Sequence, residues 1–245
     1  MEDLLFWLAA FFAEMIGTMA GFGSSTVFLP IALFFLDFRT ALTLVAVFHI
    51  SGNIGRITFF RHGFDKRLLL TFGVPSVLST LFGALLVTYI PSDVLKLVLG
   101  LFLIGFSLTS ISKPGFSFSP VVKNSLVGGG LSGFFAGLIG TGGALRGAFL
   151  TSFHLEKSVY IATAAAISLA VDITRIPVYF TSGFLDQQFY YCIPILFLLA
   201  ISGSFTGKKI VNKISQPTFR KLVLVAITLA SLKFVYDGIA YLAST

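Results

Sequence analysis

Apolar residues run along this chain in blocks far longer than the stripe of an amphipathic surface helix. Blocks at 41–60, 68–90, 94–112, 158–180, 189–207 and 219–241 have the length, about 20 residues, that a helix needs to cross the hydrocarbon core of a bilayer. Two further blocks, 4–36 and 124–155, are too long for one crossing. Small residues interrupt each near its middle: Gly21-Phe22-Gly23-Ser24-Ser25-Thr26 in the first and Gly140-Thr141-Gly142-Gly143 in the second. A broken helix in lipid exposes backbone N–H and C=O groups, so such a break persists only inside protein or beside a wet cavity.

Composition agrees with the pattern. Of 245 residues, 56% are hydrophobic and 11% charged, against about 25% charged in ordinary globular domains. This excludes a soluble enzyme, a disordered regulator and a nucleic-acid module. The net charge of +7 is then read by position, since cytoplasmic loops collect Lys and Arg. Arg61, Lys66 and Arg67 follow the block 41–60, and Lys208, Lys209, Lys213, Arg220 and Lys221 lie between the last two blocks. Lys113 and Lys123 flank the stretch 113–123, whereas 181–188 carries only Asp186. The basic loops are placed inside and 181–188 outside. Block 124–155 must then enter and leave from the inside, as a helical hairpin turning at Gly140–Gly143, and 4–36 is the matching hairpin entered from outside. Arms of about 13 residues reach ~20 Å, to mid-membrane or somewhat past it. Both termini fall outside. The rival layout has eight plain crossings. The single cysteine, Cys192, excludes an internal disulfide framework, and the acidic start at Glu2 and Asp3 argues against a cleavable leader.

The halves repeat. A shift of about 119 residues lays Gly21-Phe22-Gly23-Ser24 on Gly140-Thr141-Gly142-Gly143, Asp37 on Glu156, Asn53-Ile54-Gly55-Arg56 on Asp172-Ile173-Thr174-Arg175, and Pro75 on Pro194. The expected fold is an all-α polytopic membrane protein of two inverted repeats, each a broken-helix hairpin plus three transmembrane helices. The first repeat covers 1–112, a cytoplasmic linker 113–123 and the second repeat 124–245. Three crossings per half is odd, so the halves are inverted. Inverted repeats with broken helices at their interface mark secondary transporters. Pro75 and Pro194 are expected to kink their helices.

Candidate chemistry gathers at the breaks. Gly21, Phe22, Gly23, Ser24 and Ser25 precede one restarting helix, and Gly140, Thr141, Gly142 and Gly143 precede the other. A helix N-terminus presents free N–H groups and a partial positive charge, suited to an anion. The bland alternative is close helix packing through small residues. Arg146, three residues after Gly143, costs about 2.5–3.5 kcal/mol near the bilayer centre and so must face a cavity or an acid, Asp172 or Glu14 being the choices. Arg56 and Arg175 could mark two mouths of an anion path or snorkel to the interfaces. Asn53 and Asp172 stand one turn deeper on the same faces. His49 and Glu14, deep and titratable, are candidates to carry a coupling proton or to bond between helices. No phosphate-binding GxxxxGK[ST] loop and no clustered Cys/His set is present, so neither nucleotide hydrolysis nor a metal or other cofactor is expected, and the chain is not read as an enzyme.

The chain resembles the TauE/SafE family of sulfite exporters. The resemblance rests on Gly17-Thr18-Met19-Ala20-Gly21-Phe22-Gly23 followed by Pro30, on Gly133-Phe134-Phe135-Ala136-Gly137-Leu138-Ile139-Gly140-Thr141-Gly142-Gly143, and on the two-half hydropathy. The family commonly has more glycine after the first GFG, where Ser24-Ser25 stand, and a proline after the second cluster, where Phe149 stands. The resemblance implies a cell (inner) membrane transporter whose partners are the bilayer and a small anion: sulfite, a sulfonate or a related sulfur-containing organic anion. The alternatives are a passive anion channel and a non-transporting membrane assembly protein.

Overall fold

The computed structural model describes residues 2–20, 23–60, 63–113, 118–210 and 216–244. Among these residues all regular structure is helical. The first half contains α1 (Glu2–Ala20), α2 (Ser25–Ala32) and α3 (Phe38–Phe59). A short α4 (Lys66–Leu68) runs through a π-helical stretch (Leu69–Gly73) into α5 (Val74–Leu86), and α6 (Ser92–Ser112) follows. The second half contains α7 (Val122–Ile139), α8 (Gly143–Leu150), α9 (Lys157–Thr181), α10 (Cys192–Ile210) and α11 (Gln216–Ser244). Six helical runs are long and apolar enough to cross a membrane, and they coincide with the six blocks expected from hydropathy. Local chemistry sets several of their starts. The Asp37 carboxylate caps α3 by accepting from the N–H groups of Arg39 and Thr40, and Asp65 caps α4 through the Leu68 N–H.

Both long blocks are broken where the small residues stand, but the arms are unequal. The first arms, α1 and α7, have 19 and 18 residues, and the returning arms α2 and α8 have 8 each. The expected equal arms are therefore corrected. The physical reason lies at Gly140, whose φ of 76° ends α7 in the left-handed conformation that glycine alone adopts freely. A helix of 8 residues is ~12 Å long and does not cross a bilayer by itself.

Packing interlocks the two halves. α1 lies against α10 and α7 against α5; α3 lies against α9 and α6 against α11. Exchanging the halves maps each pairing onto another or onto itself. α3 and α9 form the centre: two-thirds of the apolar window of α3 is buried (67%) against 28% for α6, which faces outward. Glycines make the α5–α7 contact possible. A Cβ on Gly133 would stand 2.0 Å from the Ser76 carbonyl oxygen, so only a bare backbone fits there. The Ser76 and Thr80 hydroxyls donate across that contact to the Gly129 and Gly133 carbonyls at 2.9 and 3.0 Å.

The expected kink at Pro194 is corrected, whereas Pro75 lies inside the continuous helical run Lys66–Tyr89, beside a π-helical distortion. Pro194 is in the first turn of α10, where its missing N–H has no intrahelical partner to lose. Pro75 opens α5 directly after the π-helical stretch. Pro30 in α2 and Pro177 in α9 also stand inside helices.

Candidate anion site between the helix breaks

The two breaks meet at the middle of the molecule. A Cβ built on Gly23, which has φ 84°, would lie 3.9 Å from the Gly143 Cα and 3.3 Å from His49 Nε2. His49 stands midway along α3. The Thr26 and Thr141 hydroxyls bond to each other at 2.8 Å, both fully buried. The Ser132 hydroxyl donates to the Gly142 carbonyl at 2.8 Å, so part of the unwound backbone is satisfied from within α7.

Two small cavities flank His49 and Arg146, which line both. The larger, about 30 Å³, reaches toward the Phe59 end of α3, with Gly23, Asn53, Arg56, Gly143 and Tyr160 in its wall. The smaller, about 10 Å³, extends the other way beside Ser25, Gly140, Gly142, Asp172 and Arg175. A site of a few tens of Å³ holds one or two waters or a compact group of a few atoms.

Helical spacing builds the polar wall. On α3, His49, Asn53 and Arg56 follow one another at intervals of four and three, and on α9 Ser168, Asp172 and Arg175 do the same. The stripes face each other. Asp172 is the hub: His49 Nδ1 lies 2.9 Å and Asn53 Nδ2 3.1 Å from its Oδ2, and Arg175 Nη2 lies 2.7 Å from its Oδ1. Arg175 also donates to the Ala136 carbonyl at 2.6 Å, and the Tyr179 hydroxyl donates to Gly137 at 2.5 Å. Together they cap the broken end of α7. Arg56 donates to the Asn53 side-chain oxygen at 3.0 Å and lies 3.5 Å from Glu14. Both Arg56 and Arg175 are buried, so neither snorkels.

Glu14 sits behind this wall, outside both cavities, in a niche that two glycines leave open. A Cβ on Gly52 would fall 2.4 Å from its carboxylate, and one on Gly203 would press its Cβ at 2.9 Å. Its Oε1 accepts from Ser204 at 2.7 Å and Thr18 at 3.2 Å. Ser24 is buried with no partner for its hydroxyl among the described residues, and Thr141 spends its hydroxyl on Thr26. Gly21 and Phe22 lie outside the described residues.

Arg146 differs from the other buried arginines. It is 5% exposed, and among the described residues no carboxylate comes within 4.0 Å of it. The acids that sequence offered as its partners are taken: Asp172 by Arg175 and His49, Glu14 by Arg56. Three guanidinium groups thus meet two carboxylates in this buried cluster, leaving one positive charge facing the cavities. An unpaired buried cation is costly unless something anionic offsets it. Among the described residues no group of three His, Cys, Asp or Glu side chains comes together that could hold a metal ion.

Sequence reasoning missed the α9 part of the wall: Tyr160, Ile161, Ala164, Ala165 and Ser168. The signal was present as the stripe 160, 164, 168 continuing to Asp172 at intervals of four. Thr18 and Gly147 were missed as well.

A family model described as sulfite exporter TauE/SafE matches residues 6–234. A probable membrane transporter protein of Methanocaldococcus jannaschii is 28% identical over 245 residues, spanning 87% of this chain and 88% of that protein. No solved structure matches.

Proposed function

Because the chain belongs to the TauE/SafE sulfite exporter family and is a multi-pass membrane transporter, we propose that it carries a small anion by alternating access around the meeting point of its helix breaks. The substrate class is sulfite, a sulfonate or a related sulfur-containing organic anion. Residues 1–112 and 124–245 act as two inverted repeats joined by a linker at 113–123. The chain lies in the cell (inner) membrane with both termini outside.

The observation that carries this reading is Arg146: a buried guanidinium without a carboxylate partner among the described residues, on the wall shared by two cavities. Beside it the Gly23 and Gly143 backbones allow close approach, and Asn53 and Arg56 offer further donors. In this orientation the larger cavity lies on the inner side of His49 and the smaller on the outer side. The Asp172–Arg175 pair closes the outer side. Movement of one half against the other would open it and close the inner route.

Flux of ³⁵S-labelled sulfite and methanesulfonate into proteoliposomes tests the proposal. Wild type moves at least one of them, and Arg146→Ala lowers the rate more than tenfold. Equal rates for the two proteins would remove Arg146 from the site. No flux for either anion would favour a non-transporting role.

A further inference from the structure

The placement of His49 carries a consequence for which anions are accepted. Its Nδ1 points at the Asp172 carboxylate, 2.9 Å away, and so holds the ring proton of the neutral imidazole. Its Nε2 then turns a bare lone pair toward the cavities. Nε2 is buried and has no hydrogen-bond partner among the described residues. Facing an anion, that lone pair repels; protonated, it becomes a donor aimed at the same place.

The charged surroundings are few. Asp172 and Arg175 come from α9 together with Tyr160, Arg146 from α8 and Arg56 from α3 itself. Glu14 of α1 stands behind Arg56, while α2 and α10 bring the hydroxyls of Ser25 and Ser204. With His49 neutral, three guanidiniums against two carboxylates leave one positive charge, enough to balance one negative charge on a ligand. A proton on Nε2 makes it two.

Resting on the transport reading above, we propose that His49 sets the charge selectivity of the site: a monovalent anion binds with the imidazole neutral, and a divalent anion binds and crosses only with a proton on Nε2. The proton comes from water on the side of entry and leaves to water on the side of exit, one for each divalent anion.

Sulfate and methanesulfonate form a suitable probe pair, since both are tetrahedral and they differ in one oxygen replaced by methyl and one unit of charge. The full chain in proteoliposomes should move sulfate about tenfold faster at pH 7 than at pH 8, as protonated imidazole grows about tenfold per unit above its midpoint. Methanesulfonate flux should change less than twofold. Pyranine trapped inside should report one proton per sulfate in the wild-type protein, a readout that needs no variant. His49→Gln should lower the sulfate-to-methanesulfonate ratio at least tenfold and flatten its pH profile. Sulfate flux that ignores pH, lacks a pyranine signal or never occurs while methanesulfonate moves would overturn the inference alone. If neither anion moves, the transport reading falls and takes this one with it.

Discussion

Thr26 and Thr141 join the two interrupted helices directly. They are 115 residues apart in the chain, fully buried, and their hydroxyl oxygens stand 2.8 Å from each other. One belongs to the first turn of α2 and the other to the break before α8. This bond holds the tips together at the place where the backbone is least regular.

Substitution at this contact should be non-additive. Thr26→Val leaves the Thr141 hydroxyl buried and unpaired, at a cost of about 1–3 kcal/mol. The double variant Thr26→Val/Thr141→Val replaces both partners with apolar groups of the same shape and should regain part of that loss. Thermal unfolding in detergent measures it; losses that simply add would show the bond to be unimportant.

Arg175 and Arg146 should respond oppositely in stability. Arg175→Gln strips Asp172 of its guanidinium partner and uncaps the Ala136 carbonyl, so about 3–5 kcal/mol of stability should go. Arg146→Gln leaves no described carboxylate unpaired, and the unfolding temperature should hold or rise while anion flux is lost. A large drop in unfolding temperature for Arg146→Gln would mean that this arginine is structural.

The α5–α7 seam gives a sharper packing test. Gly133→Ala forces a methyl to within 2.0 Å of the Ser76 carbonyl, and the helices must part. Gly130, three residues away, has its nearest neighbour at 3.6 Å, the Ser79 hydroxyl. Gly130→Ala should be neutral or gain up to about 1 kcal/mol from helix propensity. Folded yield by size-exclusion chromatography separates them; equal yields would contradict the seam.

Membrane orientation is open to labelling. In a Cys192→Ser background, cysteines introduced at the exposed positions Gly63 and Ser119 should react with an impermeant maleimide from one face of the membrane. A cysteine at exposed Gly183 should react from the other. Gly183 labelling from the same face as Ser119 would end the inverted arrangement.

Hydropathy and glycine placement were enough to read the all-helical architecture, its six long helices and the two broken ones from the sequence. The reason is that lipid imposes a one-dimensional rule: a helix crosses only with about 20 apolar residues, and a break needs small residues. The same rule marked Arg146, Asp172 and Glu14 as costly, since a charge in an apolar block stands out on its own. It gave no answer to which acid serves which arginine. Glu14 meets Arg56 only because α1 and α3 both flank α10, where Gly52 and Gly203 leave a niche, and His49 reaches Asp172 only because α3 lies against α9. Arm length was misjudged for a related reason: a helix ends where a glycine takes positive φ, not midway along the apolar block. Burial cost is local and legible along the chain. Charge pairing depends on which helices become neighbours, and tertiary packing decided that.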